Sequence, residues 1–254
     1  MEDQIKDILK NCTVSTLTLG GITTSIVKLP EGQLERDVYE KVAKALKNIG
    51  GQWKGGKTMG FVFPNDPSEL LGKVSEGEKI NLKKDFQFYA TPSQLCDRLV
   101  SMANINESHS ILEPSAGDGA IIKAIGRVLP MKMVDCYELM GVNQEALKKV
   151  FNANMIGADF MESNVERRYD RIVANPPFSA NQDISHLQKM YECLKPGGRV
   201  VCVTSTHWKL SSNRKETEFR AWLQNNRAVI EDVDAGTFKG SGTMVPTVII
   251  TIVK

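Results

Sequence analysis

The sequence has no long apolar run, no paired cysteines and no charge excess of either sign. Each absence removes a class of function. No stretch approaches the roughly 20 apolar residues of a membrane-spanning helix, and 41% hydrophobic with 24% charged residues suits a globular chain with a sizeable core. The start, "MEDQIKDILKN", is acidic and mixed where a signal peptide would be basic and then apolar, so a cytoplasmic protein without a membrane partner is expected. Cys12, Cys96, Cys136, Cys193 and Cys202 are odd in number and form no CxxC pair; a disulfide frame or zinc site is not expected, and no metal is expected elsewhere. A formal net charge of +2 is too small to draw in a polyanion, so nucleic acid would have to meet a local patch. Internal repeats and low-complexity tracts are also missing.

What is present falls into two blocks, residues 1–80 and 81–254. The first reads helix, hairpin, helix, hairpin, a small α+β module. "TVSTLTLGGITTSIVKL" has two β-branched segments around Gly20-Gly21, a hairpin signal. "LERDVYEKVAKALKNIG" puts Leu34, Val38, Val42, Leu46 and Ile49 on one helical face and stops at Gly50-Gly51. "GQWKGGKTMGFVF" reads as a second hairpin, "DPSELLGKV" as a short helix and "SEGEKINLKK" as a linker. In the second block, strands at "SILEPS", "MVDCYEL", "MIGADF", "RIVANP", "RVVCVTST", "AVIEDVD" and "TVIITIV" alternate with helices at "AIIKAIGRVL", "NQEALKKVFNAN", "ISHLQKMYECL" and "KETEFRAWLQNN". Helical crossovers between the first five strands imply a parallel sheet covered on both faces. The last two strands, joined by "AGTFKGSGTMVP", suit an antiparallel addition. The expected fold is an α/β, Rossmann-like seven-stranded sheet, mostly parallel.

In such a sheet, ligands sit beyond the carboxyl ends of the strands. The first strand ends in "EPSAGDGA", where Gly117 and Gly119 permit a tight turn ahead of a helix. Alone, that pattern is shared by cofactor loops and plain strand–helix turns. Ile122 stands where a dinucleotide fingerprint needs its third glycine, and Glu113 and Asp118 repel a phosphate but accept an ammonium group. Glu138, at the second strand end, can accept from ribose hydroxyls; Asp159 and Phe160, at the third, can accept from an exocyclic adenine amine and cover a ring face. Each carboxylate separately also reads as a solvated strand end. Together, amine, ribose and adenine without phosphate describe S-adenosyl-L-methionine.

The fourth strand stops on "NPPF". Residues 86–254 resemble the class I S-adenosylmethionine-dependent methyltransferases, specifically the N6-adenine amino-methyltransferases. "ILEPSAGDGAI" is similar to the family's cofactor loop, "CYELM" to its ribose-binding strand end, "GADF" to its adenine-contacting strand end and "NPPF" to its catalytic motif. "FYATPSQLCDRLV" resembles the segment that closes over the methionine moiety, and "AGTFKGSGTMVPTVIITI" the late hairpin beside the target base; the motif order is γ-like. The resemblance implies a catalytic set of Asn175, Pro176, Pro177 and Phe178. It implies a cofactor set of Tyr89, Thr91, Pro92, Glu113, Pro114, Ala116, Gly117, Asp118, Gly119, Glu138, Leu139, Asp159 and Phe160, with DNA as partner. In the resemblance, Asn175 Oδ1 and the Pro176 carbonyl each accept an N–H of the target amine, the prolines fix φ near −65°, and Phe178 stacks on an extruded base.

Family members that read a DNA sequence carry a target-recognition domain after the catalytic one, whereas this sequence ends at Lys254 on the last strand. Recognition is then relaxed, supplied by a separate specificity subunit, or carried by residues 1–80. In that block Lys41, Lys44 and Lys47 share a helix flank and Trp53, Lys54 and Lys57 follow; Glu35, Asp37 and Glu40 on the same helix support a merely solvated face. "STHWKLSSNRKE", with His207, Trp208, Lys209, Arg214 and Lys215, reads equally as a phosphate-contacting loop or as a solvated loop with one packed tryptophan. The alternatives are amino-methylation of RNA or of a protein glutamine, or a catalytically silent nucleic-acid-binding relative.

Overall fold

The computed structural model describes residues 2–19, 22–56, 58–63, 66–81, 89–164, 168–241 and 243–254. The chain divides into two compact units, residues 1–87 and 88–254. The first contains helix α1 (Glu2–Lys10), strands β1 (Thr13–Leu19) and β2 (Ile22–Lys28), helix α2 (Arg36–Asn48), strands β3 (Gln52–Lys54) and β4 (Gly60–Phe63), and helix α3 (Ser68–Glu76). Its strands form an antiparallel sheet in the order β1-β2-β4-β3. The Gly20-Gly21 turn, Lys57 and residues 82–84 of the expected linker lie outside the described residues. The apolar stripe of α2 is buried at Val38, Val42 and Leu46, and Ile49 just past its end is buried with it. Trp53 packs edge-on to Tyr39 at 6.5 Å and to Phe61 at 5.1 Å between centroids and stays 40% exposed.

The second unit contains helix α4 (Ser93–Ala103), strand β5 (Ile111–Glu113), helix α5 (Ala120–Val128), strand β6 (Val134–Tyr137), helix α6 (Gly141–Leu147), strands β7 (Ala153–Gly157) and β8 (Tyr169–Ala174), helix α7 (Gln182–Glu192), strand β9 (Leu194–Ser205), helix α8 (Arg214–Asn225), and strands β10 (Val229–Asp232) and β11 (Thr247–Val253). The strands form one sheet in the order β10-β11-β9-β8-β5-β6-β7. Strands β5 to β9 pair in parallel, and β11 runs antiparallel to both of its neighbours. The sheet is the expected Rossmann-like one. Side chains alternate between two cores, as period-2 geometry requires: Val173, Val201 and Val203 join α4 and α5 on one face, while Ile172, Val200 and Cys202 join α7 and α8 on the other. Burial on both faces produces the continuous apolar runs of the central strands.

Three local expectations are corrected. Helix α4 adds to the expected elements, with Leu95, Leu99 and Ala103 recurring every fourth residue and all buried. The helix expected over 143–154 starts at Gly141 and ends at Leu147, because Asn152 Nδ2 donates to the carbonyls of Pro130 and Lys132, each at 2.8 Å, and pins the chain ahead of β7. The connection from β7 to β8 contains no helix among its described residues. That connection returns the chain from the sheet edge to its centre. The order reverses between β5 and β8, so the crevice of the fold opens at their carboxyl ends.

Candidate functional site

The register pairs Leu112 with Ile172 across β5 and β8, so Glu113 and Asn175 leave the sheet at the same edge. Beyond β5 the backbone turns through left-handed Gly117 (φ 56°) and Gly119 (φ 80°), which L side chains rarely adopt. A Cβ at Gly119 would also stand 3.0 Å from Leu147 Cδ2, so this glycine serves both conformation and packing. The Ala116 N–H donates to the Tyr137 carbonyl at 2.9 Å, tying the loop to the end of β6.

Glu113 is 2% exposed, and its Oε2 is enclosed without a hydrogen-bond partner. Burial pushes this carboxyl well above the usual carboxylate range; Asp118 and Glu138 push it further, and the Ile122 N–H opposes them. Glu138 is buried too. Its Oε2 accepts from the Gly117 N–H at 2.7 Å, and its Oε1 from the Met140 N–H at 2.7 Å and Asn143 Nδ2 at 3.3 Å. Burial raises the Glu138 carboxyl and those donors lower it, with a net rise. Three of about four acceptor positions on Glu138 are therefore spent within the chain, and Glu138 shapes the loop as well as facing the crevice. Leu139, directly after it, is 60% exposed, an apolar side chain left uncovered beside the acidic loop.

At the end of β7, Asp159 is half-buried and its Oδ1 accepts from the Met161 N–H at 2.7 Å, leaving Oδ2 as the further acceptor. Phe160 departs from its expected place. It is turned into the second core, 5.6 Å from the Tyr137 ring and 6.0 Å from His186, with Lys189 Nζ 5.2 Å over its face. The alternation of side chains past β7 points Asp159 outward and Phe160 inward.

At the end of β8, Asn175 Nδ2 donates to Thr91 Oγ1 at 3.0 Å, while Asn175 Oδ1 is enclosed with no hydrogen-bond partner. An unpaired buried acceptor costs about 1–3 kcal/mol unless a donor arrives from a ligand. Pro176 is buried, Pro177 half-buried, and Phe178 half-buried against the first core. The segment Tyr89–Pro92 lies beside this mouth through Thr91. Ser241 Oγ donates to the Ala90 carbonyl at 2.6 Å, drawing the connection between β10 and β11 to the same place. The structure thus gathers Thr91, Glu113, Gly117, Glu138 and Asn175 at one edge of the sheet.

The cations after β9 are paired within the chain. Lys209 Nζ meets Asp232 at 2.8 Å, Arg214 Nε meets Glu218 at 2.6 Å, and Lys215 Nζ donates to Ser185 Oγ at 3.0 Å. Trp208 is buried, its Nε1 donating to Thr204 Oγ1 at 3.2 Å. Among the described residues no cluster of three potential metal ligands occurs, and no helix is long and apolar enough to cross a membrane. The bond from Asn175 to Thr91 and that from Gly117 to Glu138 are not readable from residue types, since the partners stand 84 and 21 residues apart.

The donor set fits a cationic nucleoside cofactor: an enclosed carboxyl with one oxygen unpartnered, a glycine-opened backbone, an acidic strand end and an uncovered leucine. Comparison with known proteins agrees. Residues 95–231 match the methyltransferase small domain. The type II methyltransferase M.HincII of Haemophilus influenzae is 29% identical over 116 residues, which are 46% of this chain and 21% of that one. The malonyl-[acyl-carrier protein] O-methyltransferase of Priestia megaterium is 27% identical over 132 residues, 49% of this chain and 48% of that one. The chain therefore spans about a fifth to a half of these relatives. Among solved structures, the M protein of the type I restriction enzyme EcoKI shares the fold at TM-score 0.55 and 16% identity, over 87% of this chain and 55% of that one. With more than half of its residues inside the family match, this chain belongs to the methyltransferase small domain family, whose fold is that of the S-adenosylmethionine-dependent methyltransferases.

Proposed function

We propose that this chain methylates N6 of adenine in DNA, with S-adenosylmethionine as methyl donor and residues 81–254 as the catalytic part. The observation that carries the reading is Asn175: an amide anchored by Thr91, its Oδ1 enclosed and unpartnered, at the end of the central strand β8. An adenine amine is a weak nucleophile because its lone pair is delocalised into the ring. Asn175 Oδ1 and the Pro176 carbonyl, each accepting one N–H, favour a pyramidal nitrogen on which that lone pair is localised. Pro176 and Pro177 hold the acceptors without a large ordering cost. Phe178 offers a ring for stacking, worth about 1–3 kcal/mol per base, which offsets part of the few kcal/mol needed to extrude the base from a duplex. S-adenosylmethionine supplies an electrophilic methyl on a sulfonium. On the cofactor side Glu113 and Asp118 attract its ammonium group, Glu138 with Leu139 receives the ribose, and Asp159 Oδ2 accepts from its adenine.

Within residues 1–80, the exposed flank of Lys41, Lys44 and Lys47 is the surface offered to a nucleic-acid backbone. The site of action is cytoplasmic. The test is transfer of labelled methyl to unmethylated duplex DNA, with tRNA, total RNA and cell protein in parallel, and nucleosides identified by mass spectrometry. N6-methyladenine in DNA is the expected product. Label confined to RNA or to protein glutamine would overturn the substrate and keep the chemistry; cofactor binding without any product would overturn the activity.

A further inference from the structure

A second polar cluster begins at Asn181, three residues past the Asn-Pro-Pro-Phe segment. Asp183, at the start of α7, is fully buried; its Oδ2 accepts from the Ser205 N–H at 3.0 Å and lies 2.9 Å from Ser205 Oγ, and its Oδ1 accepts from the Ile184 N–H at 3.0 Å. Ser205 Oγ meets Nδ1 of the exposed His207, and His207 Nε2 meets Asn181 Oδ1. Asn181 Nδ2 donates to Glu216 Oε1 at 3.1 Å, where Asn213 Nδ2 also donates at 3.4 Å. The chain so connected closes on a turn in which Ala180 (φ 52°) and Asn181 (φ 60°) are both left-handed. Neither is glycine, and such residues cost roughly 1–2 kcal/mol apiece unless their surroundings over-determine them. Phe178 stands two residues before this turn.

With the Asn181 amide oriented as it is, counting donors limits where the protons are. Glu216 accepts from Asn181 Nδ2, which leaves Asn181 Oδ1 facing His207, so His207 Nε2 is a donor. The Glu216 backbone N–H holds that carboxyl below its ordinary value, which keeps it an acceptor. Between Asp183 and His207 Nδ1 stands a single hydroxyl with one hydrogen. If Ser205 donates to Asp183, Nδ1 must be protonated; if Ser205 donates to Nδ1, Asp183 must be. Either arrangement needs the same additional proton. Without it one of the two contacts sets lone pair against lone pair. Burial pushes the Asp183 carboxyl up, and the Ser205 donors and His207 oppose it. The other titratable groups within reach are Cys202 and His186 beside Asp183, and Glu216 and Lys215 beside Asn181.

We infer that Asp183, Ser205 and His207 share one dissociable proton and together brace the Ala180–Asn181 turn, positioning Phe178 against the target group. His207 is a positioning residue in this arrangement; it touches the turn and not the reacting nitrogen. The brace is complete while the proton is bound and opens as pH rises past the shared step. The inference deepens the proposed function and rests on it for its catalytic consequence, whereas the proton itself can be read without turnover.

The experiment is an NMR titration of the full chain, following the His207 ring nitrogens and the Asp183 carboxyl carbon. His207→Gln identifies the ring among the three histidines. The expected result is one common step for both groups, split into two by Ser205→Ala. A His207 ring that titrates alone while Asp183 stays still overturns the shared proton. In methyl-transfer assays, His207→Ala is expected to lower kcat about tenfold with cofactor Kd unchanged. His207→Gln, which retains a donor for Asn181, should recover most of the loss and no longer decline on the alkaline side. Unchanged kcat in His207→Ala, or a wild-type alkaline decline in His207→Gln, overturns the brace. A wild-type chain that transfers no methyl overturns the functional reading instead, and leaves the titration to decide the proton.

Discussion

The ends of β5 and β8 are neighbours in the sheet and opposites in chemistry. Strand β5 ends among carboxyls, with Glu113 enclosed and without a partner at Oε2, Asp118 beside it, and Glu138 bonded to the loop backbone. Strand β8 ends on a neutral amide whose donor is tied to Thr91 and whose acceptor is idle. An acidic pocket selects a cation by charge. An amide acceptor in a proline-stiffened frame does little for a ground-state ligand, and acts on an N–H whose lone pair is to be released. Under the proposed function, the difference means that one sheet edge separates binding from chemistry by placing them on different strands.

If that division is real, mutations at the two ends have separable effects. The largest is expected for Asn175→Ala: kcat should fall about 10²–10³-fold or more, the range seen when one preorganised hydrogen-bonding group is removed. Cofactor Kd, read by calorimetry, should stay within about threefold. Loss of cofactor binding in that variant would break the comparison. Glu138→Ala should do the reverse. It leaves the Gly117 and Met140 N–H groups unpaired, so cofactor Kd should weaken about 10–100-fold, from about 1.5–3 kcal/mol for a hydrogen bond to a charged group. A rate defect without a binding defect would place Glu138 on the wrong side of the division.

A third expectation concerns protons. Burial first, then Asp118 and Glu138, raises Glu113, so the free site holds a proton above the ordinary glutamate value of about 4.3. A bound cation favours the carboxylate, and binding should release up to about one proton, measured as the dependence of calorimetric heat on buffer ionisation enthalpy. The linkage sign follows: Glu113 contributes stability to the free protein that is fully present below its unfolded value and is lost as pH rises through its folded one. Glu113→Gln should abolish the proton release and flatten that decline in Tm; release unchanged in the variant would reassign the proton. The smallest effect is expected for Thr91→Val, which removes the Asn175 anchor. A loss of about 1 kcal/mol, or about fivefold in kcat, should appear with cofactor Kd nearly constant. A larger effect on Kd than on kcat would put Thr91 on the cofactor side.

Much of this arrangement was legible before folding. Strands such as "RIVANP" and "RVVCVTST" announce themselves because both faces are buried, so their apolar runs are unbroken. Gly117 and Gly119 are legible because a left-handed turn excludes most other residues. Helix α4 is weakly marked in the sequence because its buried positions, Leu95, Leu99 and Ala103, are interleaved with Gln94, Asp97 and Arg98 behind a proline. The helix after β6 is shorter than its sequence pattern because Asn152, an ordinary helix-surface residue by type, is held by the carbonyls of Pro130 and Lys132.

What the sequence determined by itself is therefore the alternation of elements, the family, and the residue types at each strand end, because periodicity and backbone conformation are local properties. The tertiary structure decided which groups are already spent. It turned Phe160 into the core, committed Glu138 to donors on Gly117, Met140 and Asn143, anchored Asn175 on Thr91 and linked His207 through Ser205 to Asp183 and directly to Asn181. Those are matters of through-space partnership between groups up to 84 residues apart, and hydrogen-bond satisfaction is settled only when the partners meet.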